Sequence, residues 1–263
     1  MNLQMPGELA EAFKNPAQQA RAVTEAWGEE NLYCPNCPSP RLLRARPGTE
    51  AVDYTCPACE SPFQLKSQSH PYSGRIVDAA YDAMRRAITQ GRTPNLLAMH
   101  YDRALWEVRN LVLVPRFVFT MSCIEKRNPL SPGARRHDWV GCNILLGSIP
   151  QDARILVVAE GVPVGIAAVR AQYARLRPLE KIKHDARGWT LDVLNVVRGL
   201  GKEEFTLAEV YAFAPRLGRL HPQNRNVEPK IRQQLQRLRD LGFVEFLGEG
   251  RYTIGEPGVA SRE

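Results

Sequence analysis

The first part of the chain combines helical and strand-like hydrophobic patterns. Apolar positions at helical spacing predict a helix over residues 8–28, broken or capped around Asn15-Pro16, and a second helix over 74–90 with Ser73 as its N-cap. Three apolar runs with little alternation predict buried strands, at 96–101, 111–115 and 153–161. This mixture of helices and strands predicts an α/β core of the catalytic type.

After about residue 180 the pattern changes to short helices followed by alternating strands. The charged segment 177–188 is expected to connect a catalytic-type domain, residues 1–182, to a small domain, residues 183–263. The predicted elements of the small domain are a helix opened by Thr190, a helix opened by the capping box at 206–209, a helix over 227–241 and a hairpin over 243–254. Three helices followed by a hairpin are the order of a winged-helix domain, in which the third helix takes the recognition position.

Composition and charge narrow the class of protein only moderately. The 263 residues include 35 Lys and Arg against 28 Asp and Glu, which gives a net charge of +7 and a pI near 9.2. This excess suits a nucleic-acid partner but equally suits a basic enzyme of another kind. No apolar run approaches the roughly 20 residues that cross a bilayer, and the N-terminus lacks the features of a secretory signal. We therefore expect a cytoplasmic, reduced protein without a membrane partner.

Two Cys-x-x-Cys pairs lie in a β-rich, proline-rich segment over residues 32–66. Their spacing, with 18 residues between the pairs, is typical of a tetrahedral four-sulfur zinc site, because each turn directs two thiolates at one point. Four sulfur ligands leave no open position for a substrate, so the Zn²⁺ is expected to be structural. The predicted ligands are Cys34, Cys37, Cys56 and Cys59. Cys123 and Cys142 have no partner motif and are expected to be core thiols.

A carboxylate and a Gln-x-Lys sequence flank the second cysteine pair. Asp53 lies on the predicted strand before it, and Gln64 and Lys66 lie on the strand after it. Because side chains alternate along a strand, Gln64 and Lys66 share one face, and Asp53 can lie beside Gln64 if the zinc site holds the strands together. These residue types on adjacent strands form the D-x(n)-(E/Q)-x-K constellation of nucleases, although the pattern alone occurs by chance in many chains.

The chemistry of this constellation requires a divalent ion. Asp53, Gln64 and the backbone carbonyl of Leu65 would hold a catalytic Mg²⁺, which prefers oxygen ligands and acts on a phosphate and a bound water. Lys66 would orient that water or help to deprotonate it, and would offset developing charge.

Seven segments of the chain are similar to one known family. They are YCPNC (33–37), CPAC (56–59), LKS (65–67), PLSPGARRHDWVGCNI (129–144), RGWTLDVLN (187–195), EFTLAEVY (204–211) and KIRQQLQRLRD (230–240). On these segments the chain resembles, nearly end to end, the DpnI family of methyladenine-dependent type II restriction endonucleases. The longer segments of the second half are far more specific than the catalytic signature.

The resemblance implies a fold, a substrate and a cofactor. The fold is a PD-(D/E)xK-type domain with a restriction-endonuclease-like mixed sheet, helices and an inserted four-cysteine zinc site, followed by a winged-helix domain. The implied activity is restriction of methylated DNA: the protein cuts double-stranded DNA with methylated adenine in GATC, leaving blunt ends, with Mg²⁺ as cofactor. We also expect the protein to be a monomer. Both domains of the family read methylated DNA.

One departure from the family concerns Gln64, which stands where the family has Glu. The resemblance carries Asp53 and Lys66 over directly, whereas an amide brings no negative charge and is expected to weaken Mg²⁺ binding. An alternative is therefore a catalytically weak or inactive protein that reads methylated DNA or regulates through it. A second alternative is a zinc-ribbon and winged-helix transcription factor without methyl preference, which leaves Asp53 and Lys66 without a role.

The side chains expected to read DNA lie on the loop over 128–141 and in the small domain. Trp139 is the candidate for the apolar surface that receives the adenine methyl group, as the resemblance also implies, and the alternative is a core tryptophan that anchors the loop. Arg135 and Arg136 are candidates for phosphate or guanine contacts, or are solvated loop charges.

In the small domain, the third helix would read bases in the major groove, and the hairpin would contact phosphate. The candidates are Lys230, Arg232, Gln233, Gln236, Arg237 and, in the hairpin, Arg251. The alternative for this helix is an exposed, charged face. Trp27 and Trp189 lie among apolar residues and are expected to be buried.

Overall fold

The computed structural model describes residues 1–46, 48–49, 51–129, 131, 133 and 139–255. Arg135 and Arg136 lie outside the described residues, as does much of the predicted loop over 128–141. The helices are α1 (Pro16–Asn31), α2 (Tyr81–Thr89), α3 (Ile166–Leu176), α4 (His184–Gly199), α5 (Leu207–Tyr211), α6 (Ala214–Leu220) and α7 (Val227–Asp240). The strands are β1 (Leu43–Arg44), β2 (Tyr54–Thr55), β3 (Pro62–Gln68), β4 (Arg75–Ala80), β5 (Asn95–Asp102), β6 (Glu107–Val114), β7 (Ile124–Lys126), β8 (Gly141–Leu145), β9 (Ile155–Ala159), β10 (Val162–Pro163), β11 (Glu204–Thr206), β12 (Val244–Gly248) and β13 (Arg251–Ile254).

A seven-stranded mixed sheet forms the centre of the N-terminal part, in the order β1-β2-β3-β5-β6-β9-β10. β3 pairs with β5 in parallel, and the other neighbours are antiparallel. The three predicted buried strands are present as β5, β6 and β9, and β5 is buried at its first five positions, as expected of a strand covered on both faces. The predicted mixed α/β class is confirmed.

Helix α1 packs on one face of this sheet. It begins behind Asn15, whose side chain accepts a hydrogen bond from the Ala17 amide, so of the break or cap predicted around Asn15-Pro16 the structure has the cap. Thr24 Oγ1 lies 3.3 Å from Ser67 Oγ of β3, which fixes the height of the helix on the sheet.

A second sheet, in the order β4-β8-β7, corrects the prediction of a helix over 74–90. Residues Arg75–Ala80 form strand β4, and the helix that follows, α2, begins only at Tyr81 behind Ala80, so Ser73 is not an N-cap. In β4, Ile76 and Asp78 are buried while Val77 is 61% exposed, which is the alternation of a half-buried strand. The strand forms because β8, more than sixty residues later in the chain, pairs with it.

The C-terminal part contains α4 to α7 and a sheet in the order β11-β13-β12. The predicted capping box is confirmed, since Thr206 accepts a hydrogen bond from the Glu209 amide and the Glu209 carboxylate accepts one from the Thr206 amide. The predicted third helix is α7, and the predicted hairpin is β12-β13, which turns through Gly248, Glu249 and Gly250, all with positive φ. Strand β11 and the short helix α6 are additional elements.

The prediction that Thr190 opens a helix is wrong, because α4 begins at His184. Thr190 lies inside α4 and is fully buried, where its hydroxyl donates to the Ala186 carbonyl at 2.8 Å and lies 2.8 Å from Gln234 Oε1 of α7. The segment predicted as a charged connection is also helical in part, since residues Arg177–Lys181 form a 3-10 turn.

Polar contacts join the C-terminal part to the mixed sheet and its loops. Arg198 of α4 forms a two-pronged ion pair with Asp152, at 2.7 and 2.6 Å. Asp192 accepts a hydrogen bond from Ser122 at 2.6 Å, and its other oxygen lies 2.8 Å from His221 Nε2. Helix α4 is therefore held by charged and polar groups on two sides.

The predictions about buried residues are confirmed. Trp27 is fully buried, and Trp189, Cys123 and Cys142 are buried as well. Among the residues that the structure describes, no helix combines the length and apolar character that a membrane span needs.

Candidate functional site

The four cysteines of the two Cys-x-x-Cys pairs come together in one cluster, as predicted. Their sulfur atoms all lie within 4.8 Å of one another, and they include Cys34 and Cys59 at 3.6 Å and Cys37 and Cys56 at 3.5 Å. A tetrahedral zinc ion with Zn–S bonds of about 2.3 Å requires sulfurs about 3.8 Å apart, so the cluster fits such an ion. All ligand positions would be filled by sulfur, which suits a structural metal.

Groups around the cluster lower the pKa of one cysteine and hold the first turn, while burial raises the pKa of Cys34 and Cys37. Burial would raise the pKa of Cys59, but hydrogen bonds from the Ser61 side chain and amide and from Asn36 outweigh it and lower the pKa to about 6. Arg170 of α3 donates to the carbonyls of Cys34 and Ser39, at 3.1 and 2.9 Å. The first cysteine turn is therefore tied to a helix far along the chain.

Asp53 and Gln64 lie on neighbouring strands next to this cluster. β2 and β3 are antiparallel with Tyr54 opposite Phe63, and the Asp53 amide donates to the Phe63 carbonyl at 2.8 Å. Continuing this register by one residue puts Asp53 opposite Gln64, so both side chains lie on one face of the sheet. Asp53 Oδ2 also accepts a hydrogen bond from the Leu65 amide at 2.7 Å.

The carboxyl group of Asp53 is in a setting that disfavours its charge. Burial raises the pKa of Asp53, the hydrogen bond from the Leu65 amide opposes this rise, and the charge of Glu25 adds to it. Lys66 and Arg21 act in the opposite direction. A cation bound near Asp53 would stabilise the ionised carboxylate, and such a perturbed carboxyl group is typical of ligand-binding sites.

Lys66 of β3 points toward the second sheet and forms an ion pair there. Its Nζ lies 2.7 Å from Oδ1 of Asp78 in β4. Apart from this ion pair, Asp78 Oδ1 has no hydrogen-bond partner among the described residues, and Asp78 is only 7% exposed. The backbone carbonyl of Lys66 accepts a hydrogen bond from the Tyr72 hydroxyl at 2.9 Å, which holds the end of β3.

The reasoning from sequence missed Asp78, because it assigned residue 78 to a helix. The strand signal in the sequence was the pair of β-branched residues Ile76 and Val77. The same stretch also fits a helical spacing, and nothing local decides between the two.

The oxygen donors at this place suit a hard divalent cation. They are the Asp53 carboxylate, the Gln64 side-chain amide and the Leu65 backbone carbonyl. The Leu65 amide donates to Asp53, and the amide and carbonyl of one strand residue point to the same side, so the Leu65 carbonyl also faces the Asp53 side of β3. Gln64 itself is buried, at 9% exposure.

Trp139 lies two residues before β8 and packs against the first residue of that strand. An added Cβ on Gly141 would be 2.8 Å from the Trp139 ring, so the indole lies directly over the glycine. Gly141 is opposite Ala80 in β4, and the next residue, Cys142, is opposite Asp78. The partly buried tryptophan therefore lies against Gly141, the residue next to the one that faces Asp78 in the second sheet.

The chain matches two family models that together cover most of its length. Residues 1–182 match the model of DpnI, the Dam-replacing family. Residues 185–254 match the model of DpnI_C, the Dam-replacing HTH domain. The chain belongs to the DpnI family. The first match contains both the cysteine cluster and the Asp53 strand pair, and the second contains α4 to α7 and the hairpin.

In the HTH domain of this DpnI-family protein, α7 presents a polar face to solvent. Ile231, Leu235 and Leu238 are fully buried, and they anchor the opposite face of the helix. The exposed residues of the polar face are Arg232, Gln233, Gln236 and Arg239, and Lys230 and Arg237 are half-buried beside them. Arg251 is exposed at the first position of β13, next to the hairpin turn.

Gln234 separates the structural face of α7 from the exposed one. It is fully buried, and its Oε1 lies 2.8 Å from the Thr190 hydroxyl of α4 and 3.1 Å from Arg237 Nη1. The interior amide thus links α7 to α4 and also restrains Arg237. Sequence periodicity grouped the polar residues of α7 together and did not identify Gln234 as a buried one.

Proposed function

We propose that this protein is a Mg²⁺-dependent endonuclease that cuts double-stranded DNA at adenine-methylated GATC sites and so restricts methylated DNA. The observation that carries the proposal is the membership of the DpnI family together with Asp53 beside Gln64 and Lys66 on paired strands. We assign the cutting to residues 1–182 and propose residues 183–263 as a second, winged-helix DNA-binding domain. The chain would act as a monomer in the cytoplasm.

The residues of the centre divide the work of phosphodiester hydrolysis. Asp53, the Gln64 amide oxygen and the Leu65 carbonyl would hold Mg²⁺. When bound, this ion supplies Lewis acidity at the phosphate and a more acidic water. Lys66 would place its ammonium against the phosphate oxygens and offset the charge that develops there. The cysteine cluster would hold Zn²⁺ as a structural ion and fix the strand that carries Asp53.

Reading of the methylated base is assigned to an aromatic surface and to a helix. Trp139 would offer the apolar surface for the adenine methyl group. Burying one methyl group contributes only about 1 kcal/mol, so sharp discrimination also requires polar groups around it. The glutamines of α7 suit the adenine edge in the major groove and its arginines suit guanine, while Arg251 would contact phosphate.

The test compares two preparations of one plasmid, from cells with and without adenine methylation of GATC. The purified full-length chain is incubated with each plasmid and Mg²⁺, and an Asp53→Asn variant serves as the protein control. We expect double-strand cuts in the methylated plasmid alone, and no cuts by the variant. Equal cutting of both plasmids, or cutting by Asp53→Asn, would contradict the proposal.

A second candidate function is a methyl-DNA reader that does not cut, and Gln64 is the observation that favours it. An amide at this place removes one negative charge from the metal site, which lowers its attraction for a divalent ion. A reader would bind methylated GATC equally well in the presence of a chelator and would leave the strands intact even in Mn²⁺. The Gln64→Glu variant separates the two functions. If only this variant cuts DNA, the native chain is a reader whose metal site lacks one negative charge.

A further inference from the structure

A buried carboxylate lies beside the proposed catalytic residues and has no role in the function proposed above. Asp78 stands on β4, in the second sheet, where strand alternation turns it inward together with Ile76. Its partner in β8 is Cys142, which is fully buried and is no source of positive charge. Among the residues that the structure describes, Lys66 forms an ion pair with Asp78, with 2.7 Å between Nζ and Oδ1.

Asp78 and Gln64 also line one cavity. This cavity has a volume of about 270 Å³ and lies between β3, β4 and α2. The other lining residues are mostly small or apolar, including Ala79, Ala83, Met84 and Ala87. Two arginines, Arg86 and Arg92, also line the cavity, and both are exposed to solvent. The Asp78 carboxylate is thus on the same side of β3 as the amide that occupies the position of the missing acid.

The charge of the centre depends on this carboxylate. If Asp53 were its acidic residue and Lys66 its cation, the two charges would cancel, and a neutral centre would attract a divalent ion weakly. With Asp78 included, Asp53, Asp78 and Lys66 leave one net negative charge. Burial strengthens this effect, since charges at low dielectric attract more strongly than charges in water. Arg86 and Arg92 are exposed, so solvent screens their charges from the centre.

We propose that Asp78 is the second acidic residue of the divalent-ion centre. The negative charge that Gln64 on β3 does not supply is then supplied by Asp78 on β4. The inference rests on the proposed function and deepens it, because it assigns the acidic residue that lets a centre with Gln64 bind Mg²⁺. In this arrangement Lys66 is held between the two sheets and bridges the acid of β4 to the strand that carries Gln64.

The test measures Mn²⁺ binding by isothermal titration calorimetry on the zinc-loaded, DNA-free, full-length chain. We expect Asp78→Asn to bind Mn²⁺ at least ~10-fold more weakly than the native chain. Gln64→Glu in the Asp78→Asn background should restore the affinity to within a factor of about three, since it returns the charge to the neighbouring position. Asp82→Asn is the matched control, because Asp82 is exposed on α2 and, within the part of the chain that the structure describes, forms an ion pair with Arg85 alone. This variant should leave Mn²⁺ binding unchanged.

A role of Asp78 as a purely structural partner of Lys66 gives a different result. Unchanged Mn²⁺ affinity in Asp78→Asn, or weakened affinity that Gln64→Glu does not restore, would overturn the proposal. If Asp78→Asn does not fold, the Lys66→Gln variant is compared with the double variant Lys66→Gln/Asp78→Asn. In the double variant the lysine is also removed, so no buried cation remains without its partner. The double variant should still bind Mn²⁺ at least ~10-fold more weakly, and equal affinities would refute the inference.

The same titration separates this inference from the proposed function. A chain that binds Mn²⁺ through Asp78 but cuts neither plasmid disproves the nuclease and leaves the acidic residue assigned. A chain that cuts methylated DNA while Asp78→Asn binds Mn²⁺ and cuts like the native protein retains the nuclease and disproves the role of Asp78.

Discussion

Replacing Gly28 with alanine tests how closely α1 is packed against the strand that carries Asp53. Gly28 is buried near the end of α1, and a Cβ there would lie 2.4 Å from Oη and 2.8 Å from Cζ of Tyr54. Tyr54 is fully buried next to Asp53, and its hydroxyl donates to the Glu25 carbonyl at 2.7 Å. The ring cannot turn away without losing that hydrogen bond and moving β2.

The change in the free energy of unfolding is the sum of two destabilising contributions and one stabilising contribution. Overpacking of a tight interior costs about 1–3 kcal/mol, and loss of the tyrosine hydrogen bond adds about 1 kcal/mol. Alanine returns up to about 1 kcal/mol through its higher helix propensity. The net destabilisation is therefore about 2 kcal/mol, which lowers the unfolding midpoint of a chain of this size by roughly 4–8 °C. A displacement of Asp53 by about 1 Å would also reduce the rate of cutting by up to about 100-fold.

The assay is thermal unfolding of the full-length chain by calorimetry, together with the rate at which methylated plasmid is cut. Gly199→Ala is the matched control, since a Cβ on this helical glycine meets no atom within 4 Å, and its midpoint should stay level or rise. Adding Tyr54→Phe to Gly28→Ala removes the closest contact and should recover part of the loss. A Gly28→Ala midpoint as high as that of the control would refute the close packing of α1 on Tyr54.

Three further predictions concern the acidic residue, the cysteine cluster and the tryptophan. Asp53→Asn should raise the unfolding midpoint at pH 7.5 without Mg²⁺ while abolishing cutting: a carboxyl whose folded-state pKa is raised stabilises the fold below about pH 4 and loses that contribution as the pH rises through the folded-state pKa. Calorimetry at pH 4 and 7.5 checks this, and an equal effect at both values would contradict it. Cys37→Ser should reduce bound zinc, measured with a colorimetric chelator, to near zero and lower the midpoint by more than about 10 °C; a chain that keeps its zinc would not have this cysteine as a ligand. Gly141→Ala should displace the Trp139 ring, which lies 2.8 Å from the added Cβ, and reduce the ratio of cutting rates on methylated and unmethylated plasmid about tenfold; an unchanged ratio would exclude Trp139 from methyl reading.

Much of the fold follows from local sequence, and the exception is a strand that needs a distant partner. The buried strands, the capping box at Thr206 and the Gly-Glu-Gly hairpin all carry their signal within a few residues, so periodicity and turn chemistry predict them. The segment that holds Asp78 fits both a strand and a helix, and β8 decides between them from far along the chain. Thr190 is misleading for a related reason, because its hydroxyl bonds to Gln234 inside the protein and does not cap a helix.

The candidate centre could be predicted where strand alternation and cysteine spacing act together. Cys-x-x-Cys pairs fix two turns, and alternation then puts Gln64 and Lys66 on one face, which is the geometry that the structure has. The contact between Lys66 and Asp78 joins two separate sheets, so no spacing in the sequence contains it. Propensity arguments describe elements one at a time, whereas this ion pair depends on how two elements pack.

Strand β2, described above as Tyr54–Thr55, is too short to fix its own alignment. A slip of one residue along β3 would turn Asp53 to the opposite side of the sheet, toward α1. Cys56 follows directly, so the bonds of the sulfurs to a metal would prevent that slip. Oxidants that attack thiolates should therefore stop the proposed DNA cutting, although they react with none of the residues proposed to act on the phosphate.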